Sequence, residues 1–252
     1  MWENPARAER FTRAQPSASV TTHHIQTPRT ARYVTIGGPA PEAPESTPVD
    51  EVWMACHGYG QLAERWARHF EPLATPGRLV VVPEGLSRFY LDARYQRVGA
   101  SWATRELRDA EVDDQVRFLD DALVAACVAH GADPRTVRLV AMGFSQGTAT
   151  VGRWLARSPL AASRQEAGTP RAHRLVVWGG RLPDDLDLAE ARPWLSAADV
   201  VLVAGERDPI ATPARVMAQE RRLDDASVPY RTVAYDGEHR LNARVLAALG
   251  RD

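Results

Sequence analysis

Lysine is missing from this sequence altogether: all 31 basic residues are arginine. A catalytic lysine, a lysine Schiff base and a Walker-type phosphate loop are thereby excluded. Together with the abundance of alanine, we read the bias as a habit of genomic composition. Cysteine is nearly missing too. Cys56 and Cys127 are the whole complement, and two cysteines by themselves make neither a disulfide scaffold nor a structural zinc site. Both lie in apolar surroundings and read as inert. No apolar run reaches the ~18 residues that a membrane-spanning helix needs. Neither sign of charge dominates: 31 basic residues face 32 acidic ones, for a formal net charge of −1 at pH 7. A nucleic-acid binder carries a basic field or stripe, and none is visible. The first residues hold no apolar run of the kind that follows a signal peptide's basic region, so a cytoplasmic protein is the default expectation.

What is present suits a globular enzyme. The chain has 252 residues, of which 44% are hydrophobic, enough for a large core without staples. Residues 1–28 are rich in Pro, Ser, Thr and Arg and read as a loose or draped tail, with Trp2 and Phe11 as its possible anchors. Residues 29–252 read as a single domain. Strands are expected at 31–37, 51–58, 79–83, 137–142, 174–178, 200–204 and 231–235. Helices are expected at 61–72, 107–130, 146–157, 212–226 and 241–249. The long helix shows its buried stripe as Val112, Val116, Leu119, Leu123 and Cys127. Short apolar strands alternating with helices predict an α/β fold, a mostly parallel central sheet with helices on both faces. Chemistry in such sheets sits at the carboxyl ends of the strands. His57–Gly60, Glu84, Ser145, Gly179–Gly180, Asp208 and His239 all fall there.

The strongest signal is Gly143-Phe144-Ser145-Gln146-Gly147, set between a strand and a helix. This is the Gly-x-Ser-x-Gly nucleophile elbow in its required setting. The serine sits at a sharp turn, side chains at 143 and 147 would crowd it, and the new helix points its N–H groups at a developing oxyanion. A serine hydroxyl needs a base, and the base needs a carboxylate. The chain order Ser, acid, His selects Asp208 and His239, each just past a strand. Glu206 is the runner-up acid, with Asp199 and Asp236 weaker. His23, His24, His69, His130 and His173 lie in the tail, on helices or at the wrong end of a strand. His57 precedes the serine and reads as a structural histidine that buttresses its loop. The oxyanion donors are expected to be the backbone N–H groups of Tyr59 and Gln146, with Gly58 and Gly60 letting the loop come close.

Together, HGYG, GFSQG, GERD and the terminal EH resemble the α/β-hydrolase superfamily, and within it the phospholipase/carboxylesterase group, which includes acyl-protein thioesterases and small bacterial carboxylesterases. The resemblance covers roughly residues 30–250. It implies a Ser145–Asp208–His239 triad, an oxyanion hole from Tyr59 and Gln146, no cofactor or metal, and hydrolysis of carboxylic esters or thioesters. It also implies that the segment Trp178-Gly179-Gly180-Arg181-Leu182-Pro183 lies near the acyl side, which makes Leu182 a pocket candidate. Residues 84–106 depart from the smaller members of the group. Here Phe89, Tyr90, Tyr95 and Trp102 interleave with Arg88, Arg94, Arg97 and Arg105. This segment is expected to be a lid or pocket wall whose aromatics line the substrate pocket, the alternative being a surface excursion packed on the body.

The expected activity is that of a carboxylesterase on a small-molecule ester, working through an acyl-enzyme. Because the base must be a neutral imidazole, activity is expected to rise with pH through about 6–7. The alternatives are a thioesterase or lysophospholipase on longer acyl chains, which needs a deep apolar groove under 84–106, and a catalytically silent binding protein of the same fold. A monomer or homodimer is expected.

Overall fold

The structure is a computed structural model and describes residues 21–39 and 48–251. Trp2, Phe11 and most of the Pro-rich loop after the first strand lie outside the described residues. The chain divides into two units, Met1–Thr30 and Ala31–Asp252. Of the first, residues 21–30 are described; they are exposed and carry no regular secondary structure.

The second unit begins with β1 (Tyr33–Gly37) and β2 (Glu51–Cys56), followed by α1 (Ala63–Ala67). After α1 the chain tightens into a 3-10 turn at Arg68–Leu73. The sequence predicts one helix across this stretch; Pro72 has no N–H to continue it. Next come β3 (Arg78–Pro83), β4 (Ser87–Tyr90), β5 (Val98–Ser101) and α2 (Arg108–Ala129). β6 (Arg138–Phe144) leads into α3 (Gln146–Arg157) and α4 (Pro159–Glu166). The remaining elements are β7 (Arg174–Trp178), α5 (Leu188–Leu195), β8 (Asp199–Gly205), α6 (Pro213–Asp225), β9 (Arg231–Tyr235) and α7 (Ala243–Leu249).

Seven strands form one sheet in the order β1-β3-β2-β6-β7-β8-β9. Only β1 runs antiparallel to its neighbour. Side chains alternate across the sheet. From β2, Val52, Met54 and Cys56 join the core on one face, under α2, α3, α5 and α6. Trp53 and Ala55 join the core on the other, under α1 and α7. Both faces are covered, which is why the central strands read as unbroken apolar runs. The chain leaves β2 toward β3 and later returns to β6 on β2's other side. The two strand ends that flank this reversal carry His57–Gly60 and Ser145, where open α/β sheets form their ligand crevice.

The long segment at 84–106 contains the antiparallel hairpin β4–β5. Its strands are too short and polar to show an alternating signal in the sequence. α4 and α5 also escaped the pattern, being eight residues each and, in α5, interrupted by Pro193. Their caps are local: Ser158 accepts the N–H of Ala161, and Asp187 accepts those of Ala189 and Glu190.

Candidate active site

Ser145 stands between β6 and α3 with φ 53° and ψ −115°, a conformation that L-residues seldom adopt. Its own N–H is tied to the carbonyl of Trp178 at 2.9 Å. The two glycines around it are required by space. A Cβ on Gly143 would collide with the carbonyl of Gly147, and one on Gly147 with the carbonyl of Cys56.

The structure brings Ser145, His239 and Asp208 into one line. Ser145 Oγ lies 2.9 Å from His239 Nε2, and His239 Nδ1 lies 2.7 Å from Asp208 Oδ2. Asp208 is buried at 3% exposure. Its other oxygen accepts the N–H groups of Ile210 and Ala211 at 2.7 and 2.8 Å, which fixes the carboxylate plane. The ring of Phe144 packs on the His239 imidazole with centroids 4.8 Å apart. Such a chain can take a proton from the serine hydroxyl and hold the resulting imidazolium.

The rival acids lie elsewhere. Glu206 is exposed, Asp236 is exposed and paired with Arg207, and Asp199 pairs with Arg174 and Arg231 at the amino end of β8. Of the other histidines, His57 directly follows β2 at this edge, and it is fully buried. Its Nε2 accepts the N–H of Gly85 at 2.9 Å, so Nδ1 carries the proton and donates to the carbonyl of Gly58 at 2.8 Å. Burial pushes its pKa below the ordinary histidine value.

The loop after β2 runs beside the serine: a Cβ on Gly58 would lie 3.2 Å from that of Ser145. The loop is held on every side. Gly58 N–H donates to Gln61 Oε1, Gly60 N–H to the carbonyl of Ala100, and Trp102 Nε1 to the carbonyl of His57. The Gln146 side chain also reaches across, donating to Ser101 Oγ and the carbonyl of Ala103, each at 3.0 Å. Behind the loop, buried Glu84 holds Arg32, Arg88 and the N–H of Ala63. Burial works to raise the Glu84 carboxyl, but the hydrogen bonds from Arg32 and Arg88 outweigh it and keep its pKa below the usual range.

Several positioning contacts had no signal in the sequence. The hydroxyl of Tyr235 donates to the carbonyls of Glu238 and Arg240, on either side of His239, and accepts Trp178 Nε1 at 3.3 Å. Thr148 Oγ1 donates to the carbonyls of Ser145 and Arg181 and accepts the N–H of Arg181, binding α3 to the loop after β7.

A cavity of about 480 Å³ opens beside Ser145. Its walls come from α3, the loop after β7 and the 210–222 region, among them Gly180, Ile210, Arg215 and Gln219. None of the five pocket candidates lines it. Trp102 and Leu182 are fully buried, at 1% and 0% exposure. Trp102 packs on His57, with ring centroids 4.9 Å apart, beneath the loop. Phe89 stacks on Tyr59, and exposed Tyr90 meets Tyr95 edge-on. Phe89 and Trp102 thus pack against the 57–61 loop, to which the hairpin is hydrogen-bonded through Gly60, Gln61 and Ala100. Among the described residues no group of three or more His, Cys, Asp or Glu is placed to hold a metal ion, and no helix is long and apolar enough to cross a membrane.

No protein-family model matches the chain. No curated protein sequence matches it either. Solved structures do. A carboxylesterase from Bacillus cereus aligns at TM-score 0.60 and 16% identity, over 88% of this chain and 92% of its own. Acyl-protein thioesterase 2 from Zea mays aligns at 0.59 and 16%, over 88% and 97%. A carboxylesterase from Mesorhizobium loti aligns at 0.60 and 15%, over 88% and 93%. With its parallel sheet, covering helices and strand-end elbow, the chain therefore has the α/β-hydrolase fold.

Proposed function

We propose that this chain is a serine hydrolase of the phospholipase/carboxylesterase type that cleaves carboxylic esters through an acyl-enzyme on Ser145. The observation that carries the reading is the unbroken Oγ–imidazole–carboxylate line, 2.9 and 2.7 Å long, anchored on a buried aspartate. The names of the structural neighbours given above agree with it.

In this reading His239 Nε2 takes the Ser145 proton as Oγ attacks the ester carbonyl. The N–H groups of Tyr59 and Gln146 receive the tetrahedral oxyanion, each contributing about 3 kcal/mol in the transition state. His239 then protonates the departing alcohol. Water enters, gives its proton to His239, and releases the acid as Ser145 regains its hydrogen. Asp208 stays ionised and holds the imidazole tautomer. The same steps serve a thioester, whose thiolate departs more easily. A long acyl chain suits the site less well, because the cavity at the serine carries Arg181, Arg215 and Arg222 on its walls.

The test is hydrolysis of p-nitrophenyl esters from acetate to palmitate, with Ser145→Ala as control. Turnover of the short esters, lost in S145A, is the expected outcome. A long-chain optimum overturns the small-ester reading in favour of a lipid substrate. Absence of turnover on every ester, together with failure of a fluorophosphonate to label Ser145, overturns the hydrolase reading.

A further inference from the structure

The cavity beside Ser145 has a donor-rich wall. Gln219 lines it from α6 and is buried at 2% exposure. Its Oε1 accepts the N–H of Leu182 and Nη1 of Arg222, both at 3.2 Å. Turning the amide over would set donors against donors, so this orientation is imposed. Gln219 Nε2 is then buried with no hydrogen-bond partner among the described residues. A buried amide N–H without an acceptor is costly and rare in folded proteins.

Three guanidinium groups share the same wall. Arg215 donates to the carbonyl of Ile210 at 2.7 Å and meets no carboxylate among the described residues. Arg222 donates to the carbonyls of Leu182 and Pro183. Arg181 pairs with Asp184 at 2.6 Å, and Asp184 also stands 3.7 Å from Arg222. Asp184 thus answers two of the arginines, and none of the lining residues is acidic. The apolar part of the wall, Ile210, Ala211 and Val216, is short.

We propose that this cavity takes an acyl group ending in a carboxylate, so that the substrate is a half-ester of a short dicarboxylic acid. The proposal rests on the ester-hydrolase reading of Ser145. The carboxylate meets Arg215, a charge-assisted pairing that neither a methyl terminus nor a fatty chain can offer. The methylenes between the two carbonyls lie along Ile210, Ala211 and Val216. The acyl part is assigned to this side because Ser145 lines the cavity and His239 does not. The departing alcohol must stay within reach of His239, which protonates it. Hydrolysis takes up one water and yields the alcohol and the free dicarboxylate.

Two measurements test this. The first compares kcat/KM for monomethyl glutarate and methyl valerate by titration of released acid, in wild type and Arg215→Met. We expect a preference of about tenfold or more for the glutarate ester, weakened by salt, and reduced several-fold in Arg215→Met. The ratio is internal to each protein, so a poorly folded variant loses both substrates in parallel. The second is calorimetric binding of the same two esters to S145A, which does not depend on turnover. Charge-selective binding without turnover in wild type leaves the cavity assignment standing and overturns the hydrolase reading. Turnover of both esters without preference overturns the cavity assignment and leaves the hydrolase reading. A preference for methyl valerate, or for an ester with its carboxylate on the alcohol side such as 3-acetoxypropanoate, also overturns it.

Discussion

On the side of Ser145 that faces the β4–β5 hairpin, the polar groups that border the serine loop are paired, and the unpartnered Nε1 of Trp66 lies behind them, against His57. Both ring nitrogens and the carbonyl of His57 are hydrogen-bonded, and Gln146 is fastened at both ends of its amide. On the side that faces α6, Gln219 keeps one end of its amide free, and arginines outnumber carboxylates. The first arrangement holds a backbone loop in one place, which the proposed oxyanion role of that loop requires. The second leaves Arg215 without a carboxylate on a cavity wall, which in the proposed reading receives the substrate's acceptor. In the proposed reading, rigidity and selectivity are thus built on opposite flanks of one serine.

The largest effect is expected at the point where the flanks meet. Ser145→Ala should lower kcat by about 10⁵-fold or more, and Asp208→Asn by about 10⁴-fold. Single-turnover measurement with a short p-nitrophenyl ester reads both. An equal, small loss in each would break the triad assignment.

The satisfied flank should answer through stability and rate together. Trp102→Ala removes a fully buried ring under the His57 loop and should cost about 3–5 kcal/mol. Trp102→Phe keeps the ring and loses the bond to the His57 carbonyl, at about 1 kcal/mol. Its kcat should fall while KM holds if the loop serves the transition state as proposed. A change in KM alone would move Trp102 to substrate binding.

A smaller effect follows from His57. Burial holds its pKa below the ordinary value. The unfolded chain takes up a proton near pH 6.5 that the folded chain refuses. Its contribution to stability is therefore complete above that pH and is lost as pH falls from there toward the lowered folded value. Urea midpoints at pH 7.5 and 5.5 should diverge less in His57→Asn than in wild type. Equal divergence would mean that other groups set the acid response.

The smallest effect is expected at the hairpin tip. Tyr95 is exposed with φ 57°, so Tyr95→Gly should shift the melting free energy by about 1 kcal/mol or less. The glutarate-to-valerate ratio should stay as it is, because the hairpin does not line the cavity. A changed ratio would place the hairpin over the substrate after all.

Much of this was legible in the chain. The elbow glycines are dictated by collisions within five residues and one neighbouring strand, so the motif carries its own geometry. Asp208 and His239 could be read because each closely follows an apolar strand, and parallel strands deliver their ends to one edge. The α2 stripe was legible for the same local reason, its spacing matching the helical period. The pocket was not. Trp102 and Phe89 sit near Ser145 in the linear logic of a lid, yet they pack around the 57–61 loop.

The sequence by itself determined the parallel α/β layering, the sharp serine turn and the chain order of Ser145, Asp208 and His239 at one sheet edge, because these depend on contacts between near neighbours and on periodicity. Only the tertiary structure decided which wall borders the serine. Gln219 lies 74 residues beyond Ser145 in the sequence, on a helix whose register to α3 is set by packing across the sheet. Whether its amide is paired or free depends on Leu182 and Arg222 arriving on one side of it and on no acceptor arriving on the other.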